Sequence, residues 1–223
     1  MVGVPDNWTL GGFVADCARA IGLSPTQEDA DVYQNLYLSR LPEFVRVNMA
    51  RDPDLQKAFW ERLAVDWLDQ TGQSQDLLRP MQESADVLGF GPNSILFRLY
   101  DDVIPCLDRL AGMGIQLAVI SNWDYSLHRV LKMFGIYDRF VVVKASLEEG
   151  VEKPDPRLFE MTLAEAGFTA AETFHVGDDV VDDLDGAKGV GIRAVLIDRS
   201  RAKTDRPVIH TLADLPEAFG WID

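Results

Sequence analysis

Apolar residues recur at helical intervals through roughly the first 97 positions, then give way to short apolar runs separated by amphipathic stretches. In RDPDLQKAFWERLAVDWLDQTG, residues 51–72, Leu55, Phe59, Leu63 and Trp67 return every four positions and so share one helical face. Asp52 is placed to cap this helix, Pro53 suits its first position, and Gly72 offers a stop. SPTQEDADVYQNLYLSR, residues 24–40, opens with a capping-box pattern, Ser24 with Gln27 three residues on, and Pro42 limits the helix at its far end. SQDLLRPMQESADVLG, residues 74–89, predicts a further helix entered or interrupted at Pro80. The first half is therefore expected to be a small helical bundle, with Trp60 and Trp67 in its core because they follow the helical spacing.

After residue 98 the period shortens. IQLAVI (115–120), FVVVK (140–144), TFHV (173–176) and RAVLI (193–197) read as buried strands. Helical segments are expected near 102–111, 126–134, 156–166 and 182–189. Strand and helix in regular alternation predict an α/β fold with a doubly wound, Rossmann-like parallel sheet. The pattern thus divides the chain into 1–97, helical, and 98–223, α/β. In such sheets ligands bind at the carboxyl ends of the strands, so the residues just past each run are the ones that matter for chemistry.

Those residues are unusually polar. SNWD follows the first run: Ser121 and the backbone N–H groups near Asn122, at the start of a helix, suit an anion cradle, or equally a helix cap. EKPDPRLFE follows the second: Pro154 and Pro156 stiffen the loop, Asp155 can cap the helix beginning at Pro156, and Lys153 is a fixed cation for phosphate or a solvated surface lysine. HVGDDVVDDLDGAKGVG, residues 175–191, follows the third and packs five aspartates into eight positions. Asp178 on the turn and Asp183 at the start of the next helix can meet at one Mg²⁺, while Asp179, Asp182 and Asp185 read as caps or a solvated acidic face. A calcium loop fits poorly, since setting its glycine at Gly186 places Val181 at the first ligand position.

Composition narrows the partners. With 36 acidic and 21 basic side chains the net charge is −15, which repels nucleic acid and anionic membranes. No apolar run approaches the roughly 20 residues of a bilayer span and the first residues lack a basic-then-apolar secretion pattern, so a cytoplasmic protein is expected. Cys17 and Cys106 stand apart in helical patterns, consistent with a reducing compartment. His128, His175 and His210 have no metal-ligand spacing, and His175 reads as a satisfied core residue. DRSRAKTDRPVIH, residues 198–210, reads as a polar surface loop with solvated basic side chains.

Taken in order, the strand-end segments resemble the haloacid dehalogenase superfamily across the whole chain. VISN is similar to its second motif, EKPDP to its third and GDDVVDD to its fourth, and the helical half then resembles its mobile cap. The resemblance implies a Mg²⁺-dependent phosphomonoesterase acting on a small phosphorylated metabolite through an aspartyl-phosphate. It implies that Ser121 and Asn122 bind phosphate, that Lys153 balances charge on nucleophile and phosphoryl group, and that Asp178 and Asp183 hold or orient Mg²⁺.

One motif has no counterpart. The superfamily's nucleophilic Asp-x-Asp-x-Thr follows a first strand ahead of the cap, and here Asp6, in a Pro-Asp-Asn turn, and Asp16, in a helical run, are the early aspartates. That strand lies mid-sheet, between the strands of the second and fourth motifs, and each backbone group left unpaired in a buried slot costs about 1–3 kcal/mol. Met1 is accordingly expected to be internal to a longer protein, with the chain as written inactive. A non-catalytic phosphate-binding or regulatory protein and a metal-free haloacid dehalogenase are the alternatives, the second disfavoured by the clustered carboxylates.

Overall fold

A computed structural model describes residues 1–5, 7–50, 52–200 and 208–220. The chain divides into two compact units, residues 1–99 with 129–135, and residues 100–128 with 136–223.

The first unit is helical apart from one ribbon. β1 (Val2–Gly3) is followed by α1 (Leu10–Ala20), α2 (Gln27–Ser39), α3 (Leu41–Met49), α4 (Pro53–Gln70) and α5 (Leu78–Phe90), then β2 (Arg98–Leu99), which pairs antiparallel with β1. α4 begins as its sequence predicts, with the Asp52 carboxylate accepting from the N–H groups of Asp54 and Leu55. α2 corrects the expected cap: Thr26, not Ser24, accepts from Asp29 N–H, and the Asp29 carboxylate returns to Thr26 N–H. Pro42 does more than limit α2; it sits in the first turn of α3, where its missing N–H has no cost. Tyr33, Phe59, Leu63, Trp67, Leu68 and Met81 form one buried cluster. Trp67 is in the core as expected, its indole N–H donating to Asp29 C=O at 2.7 Å, while the half-buried Trp60 stacks on Tyr37. α1 approaches α2 so closely that a Cβ on Gly11 would lie 2.1 Å from the Ala30 carbonyl oxygen. Burial pushes the Cys17 thiol up to about 12 and raises Cys106 as well, so neither is a ready nucleophile.

The second unit alternates strands and helices: α6 (Val103–Gly112), β3 (Ala118–Ser121), α7 (Ser126–Met133, its last turns grouping with the helical unit), β4 (Val142–Ala145), α8 (Ser146–Glu149), α9 (Pro156–Ala166), β5 (Phe174–Gly177), α10 (Gly186–Gly189), β6 (Arg193–Ile197), β7 (Val208–Ile209) and α11 (Leu215–Ala218). Every pairing in it is parallel, as expected of an α/β core, but the strands fall into two sheets, β3–β4 and β5–β6–β7. Among the described residues no strand pairs with both β3 and β5. The helix expected at 182–189 is instead a π-helical turn, Val180–Asp185, leading into the short α10. Part of the 198–210 loop, residues 201–207, lies outside the described residues. Arg199 within it is not solvated, since it makes a bidentate pair with Asp102 at 2.8 and 3.0 Å and lies over the Tyr100 ring.

Candidate active site

Three loops converge where β3, β4 and β5 end. Each begins at the carboxyl end of a parallel strand, the position the sequence pattern singles out. β3 ends on Ser121, whose hydroxyl has no hydrogen-bond partner among the described residues. Asn122 follows and uses its whole side chain: Oδ1 accepts from Lys153 N–H at 2.8 Å, and Nδ2 donates to Lys153 C=O and to the Asp182 carboxylate, both at 2.9 Å. One amide therefore ties together the loops after β3, β4 and β5. Asp124 plays the capping part, accepting from Ser126 N–H at 2.8 Å.

The loop after β4 turns at Gly150 in the left-handed region, φ 65°, and ends at Asp155, which caps α9 through Arg157 N–H. Lys153 is held between these points. It is not a solvated lysine: its side chain is 9% exposed, and Nζ lies 2.5 Å from Asp183 Oδ1.

The acid run divides its labour. Asp179 caps the π-helical turn, accepting from the N–H groups of Val181 and Asp182, which is the role expected of it. Asp182 accepts from Asn122 in a solvent-exposed hydrogen bond. Asp183 is buried, 5% exposed, and both its oxygens are used. Oδ1 meets Lys153 Nζ and, at 2.8 Å, His175 Nε2; Oδ2 accepts from the N–H groups of Asp178 and Asp179, each at 3.1 Å. Burial alone would raise the Asp183 pKa, but the His175 hydrogen bond and the Lys153 charge outweigh it and hold the carboxyl well below the usual range. With Asp183 ionised, His175 Nε2 is a donor. Gly177 makes the return possible, because a Cβ there would lie 1.9 Å from the Asp183 carboxyl carbon. Asp178, in contrast, is exposed and its carboxylate has no partner among the described residues.

The geometry therefore brings Ser121, Asn122, Lys153, Asp178 and Asp183 into one connected set. The sequence reading did not connect His175 or the Asn122 side chain to it. His175 is satisfied, as expected, but by Asp183 itself, with its ring edge-on to Phe159. Its position two residues before Gly177 on an alternating strand was the one available signal. Of the two early aspartates, Asp16 lies within α1, 2.5 Å from Arg19, and Asp6 is outside the described residues.

As to a metal, no group of three potential His, Cys, Asp or Glu ligands gathers among the described residues. Mg²⁺ keeps several waters and needs only one or two protein carboxylates beside a bound phosphate, and the free Asp178 carboxylate fits that pattern.

The sequence family model for haloacid dehalogenase-like hydrolases matches residues 16–191. The chain is 28% identical over 199 residues to haloacid dehalogenase-like hydrolase domain-containing protein 3 of Danio rerio, covering 87% of this chain and 81% of that protein. It is 32% identical over 164 residues to a phosphoserine phosphatase of Thermus thermophilus, covering 72% of this chain and 64% of that enzyme. Among solved structures, a 2-haloacid dehalogenase from Pseudomonas syringae superposes with a TM-score of 0.62 at 27% identity, covering 95% of this chain and 88% of that one. A HAD phosphatase from Thermococcus onnurineus superposes with a TM-score of 0.60 at 23% identity, over the same shares of the two chains.

Proposed function

Because the chain belongs to the haloacid dehalogenase-like hydrolases, we propose that it is the phosphate-handling body of a Mg²⁺-dependent phosphomonoesterase for a small phosphorylated metabolite. The observation that carries this reading is the division of the strand-end groups into free and buried ones. The Ser121 hydroxyl and the Asp178 carboxylate are unpaired among the described residues, while the buried Lys153 is locked onto Asp183. A hydroxyl, backbone N–H groups after β3 and a desolvated ammonium suit the dianionic end of a phosphate monoester. Similarity to a phosphoserine phosphatase points to the same substrate class.

When bound, Mg²⁺ would supply positive charge beside the phosphoryl oxygens, held through Asp178 and water. Asp183, its four hydrogen bonds already made within the protein, would orient rather than bind directly: it fixes Lys153 and the Asp178 turn. In the aspartyl-phosphate route a carboxylate oxygen forms a bond to phosphorus as the ester P–O bond breaks. The leaving alkoxide takes a proton, and water then cleaves the acyl phosphate. Ser121, the Asn122 backbone and Lys153 would hold the phosphoryl group through both steps. The nucleophile itself is not supplied by Asp16, which is helical and ion-paired, so residues 1–223 alone are proposed to bind phosphate without turning over. The helical unit would be the cap domain, and the setting cytoplasmic.

The test is titration calorimetry of residues 1–223 with inorganic phosphate and Mg²⁺. Binding that weakens about tenfold or more in Ser121→Ala and Asp178→Asn, in line with the loss of one charge-assisted contact, supports the reading; no phosphate binding contradicts it. The similarity to a 2-haloacid dehalogenase keeps a second reading open, and halide release from a 2-haloacid without Mg²⁺, once a nucleophile is supplied, would favour it. Phosphate held but never released under the same condition would instead mark a non-catalytic binding protein.

A further inference from the structure

The carboxylate that holds Lys153 is shared with an imidazole. A carboxylate offers about four lone-pair sites, and those of Asp183 are filled: Oδ2 by the N–H groups of Asp178 and Asp179, Oδ1 by Lys153 Nζ at 2.5 Å and by His175 Nε2 at 2.8 Å. Lys153 Nζ has no other acceptor among the described residues, although its side chain is only 9% exposed. A buried ammonium with donors left over is held at a cost until an acceptor arrives. How fully those donors stay turned away from Asp183 depends on the second donor to the same oxygen.

That second donor is firmly seated. The His175 side chain is 14% exposed, and its ring stands edge-on to Phe159, 5.5 Å between centroids at 79°. Phe159 is 1% exposed and lies on α9, the helix that the Lys153 loop enters. It has no room to retreat, because a Cβ on Gly186 would lie 3.0 Å from the Phe159 ring and 3.2 Å from Pro154 Cα. Lys153 and Phe159 belong to one segment, and His175 is wedged between its two ends, meeting the first through Asp183 and the second directly. β5 pairs with β6 through backbone groups, so the strand itself needs no imidazole at this position. The one hydrogen bond of the ring among the described residues goes to Asp183.

We infer that His175 is a positioning residue for phosphate: by donating to Asp183 Oδ1 it keeps Lys153 from serving that oxygen alone, and so leaves the remaining Nζ donors for a phosphoryl oxygen. This rests on the phosphate site proposed above. Without the imidazole, a lone pair of a buried carboxylate stands open beside Lys153 Nζ. The ammonium then turns further onto Asp183 and away from phosphate.

The test is titration calorimetry of residues 1–223 with inorganic phosphate and Mg²⁺ in two variants, with urea midpoints alongside. His175→Leu keeps apolar bulk against Phe159 and removes the donor; it is expected to weaken phosphate binding about tenfold. His175→Gln returns an N–H donor near the same place and is expected to restore most of that loss. Phosphate bound as tightly by His175→Leu as by the unaltered chain overturns the inference and leaves the phosphate site standing. Equal weakening in both variants, following their urea midpoints, assigns the ring a packing role and overturns it too. Should His175→Leu fail to fold, His175→Gly decides: added imidazole that restores phosphate binding supports the inference, and no restoration overturns it. No phosphate binding by the unaltered chain removes the proposed function, and this inference with it.

Discussion

The helical unit closes one core, whereas the α/β unit divides its parallel strands between two sheets, leaving β3 and β5 each paired on one side among the described residues. Phe59, Leu63, Trp67 and Leu68 are at most 1% exposed, drawn from one helix and enclosed by its neighbours. In the other unit the four residues of β5, which leads into the acid run, are each only partly buried. Helices satisfy their backbone groups internally, so a bundle needs only an apolar face; a strand depends on neighbours for its hydrogen bonds and its burial. The contrast teaches that loops at the ends of two separate parallel sheets can be joined by side chains rather than by a strand ladder. Asn122 and Asp183 are those ties.

Substitutions sharpen the comparison. The largest effect is expected in the closed core: Trp67→Ala should cost about 3–5 kcal/mol in urea unfolding. Lys153→Ala comes next, at about 3 kcal/mol, since it strands a buried Asp183 carboxylate without its main partner. Asp102→Ala should cost about 2 kcal/mol, because it removes acceptors for Arg199, Thr211 and Leu212 N–H together. Val176→Ala on β5 should cost only about 1 kcal/mol, since the side chain is only partly buried before it is shortened. Equal losses at Trp67 and Val176 would break the contrast between the units.

Acid should act on the α/β unit. Burial raises the Asp102 pKa, but the Arg199, Leu212 and Thr211 hydrogen bonds outweigh it and bring it down to about 2; Asp183 is lowered likewise. Both folded values lie below the unfolded carboxyl value of about 3.9. Their stabilisation is thus full above about pH 4 and is lost as pH falls towards the folded values, because the unfolded chain takes up protons first. Urea midpoints measured from pH 6 to pH 3 should fall below about pH 4, and by less in Asp102→Asn.

Much of this was legible in the sequence. The α9 start at Pro156 under Asp155, the four-residue spacing of α4 and the run Arg193–Ile197 all rest on local chemistry, which a linear pattern carries. The N-cap moved from Ser24 to Thr26 because an aspartate at N3 completes a reciprocal box that Gln27 does not. The π-helical turn was hidden because its cause is not local: Asp183 must come back beneath Gly177 to meet Lys153, 30 residues away in sequence. The Asn122 side chain escaped for the same reason, its partners lying 31 and 60 residues away, and His175 because only the return of the turn after its own strand brings Asp183 to it.

The most direct test of the one-sided pairing of β3 and β5 is residue-resolved amide exchange on residues 1–223 without additions. In a strand paired on one side, alternate N–H groups face away from the partner. The account predicts that alternate amides within Val119–Ser121 and His175–Gly177 exchange nearly as fast as in loops, while the β5-facing amides of β6 and the centre of α4 are strongly protected. Uniform, strong protection along β3 and β5 would contradict it.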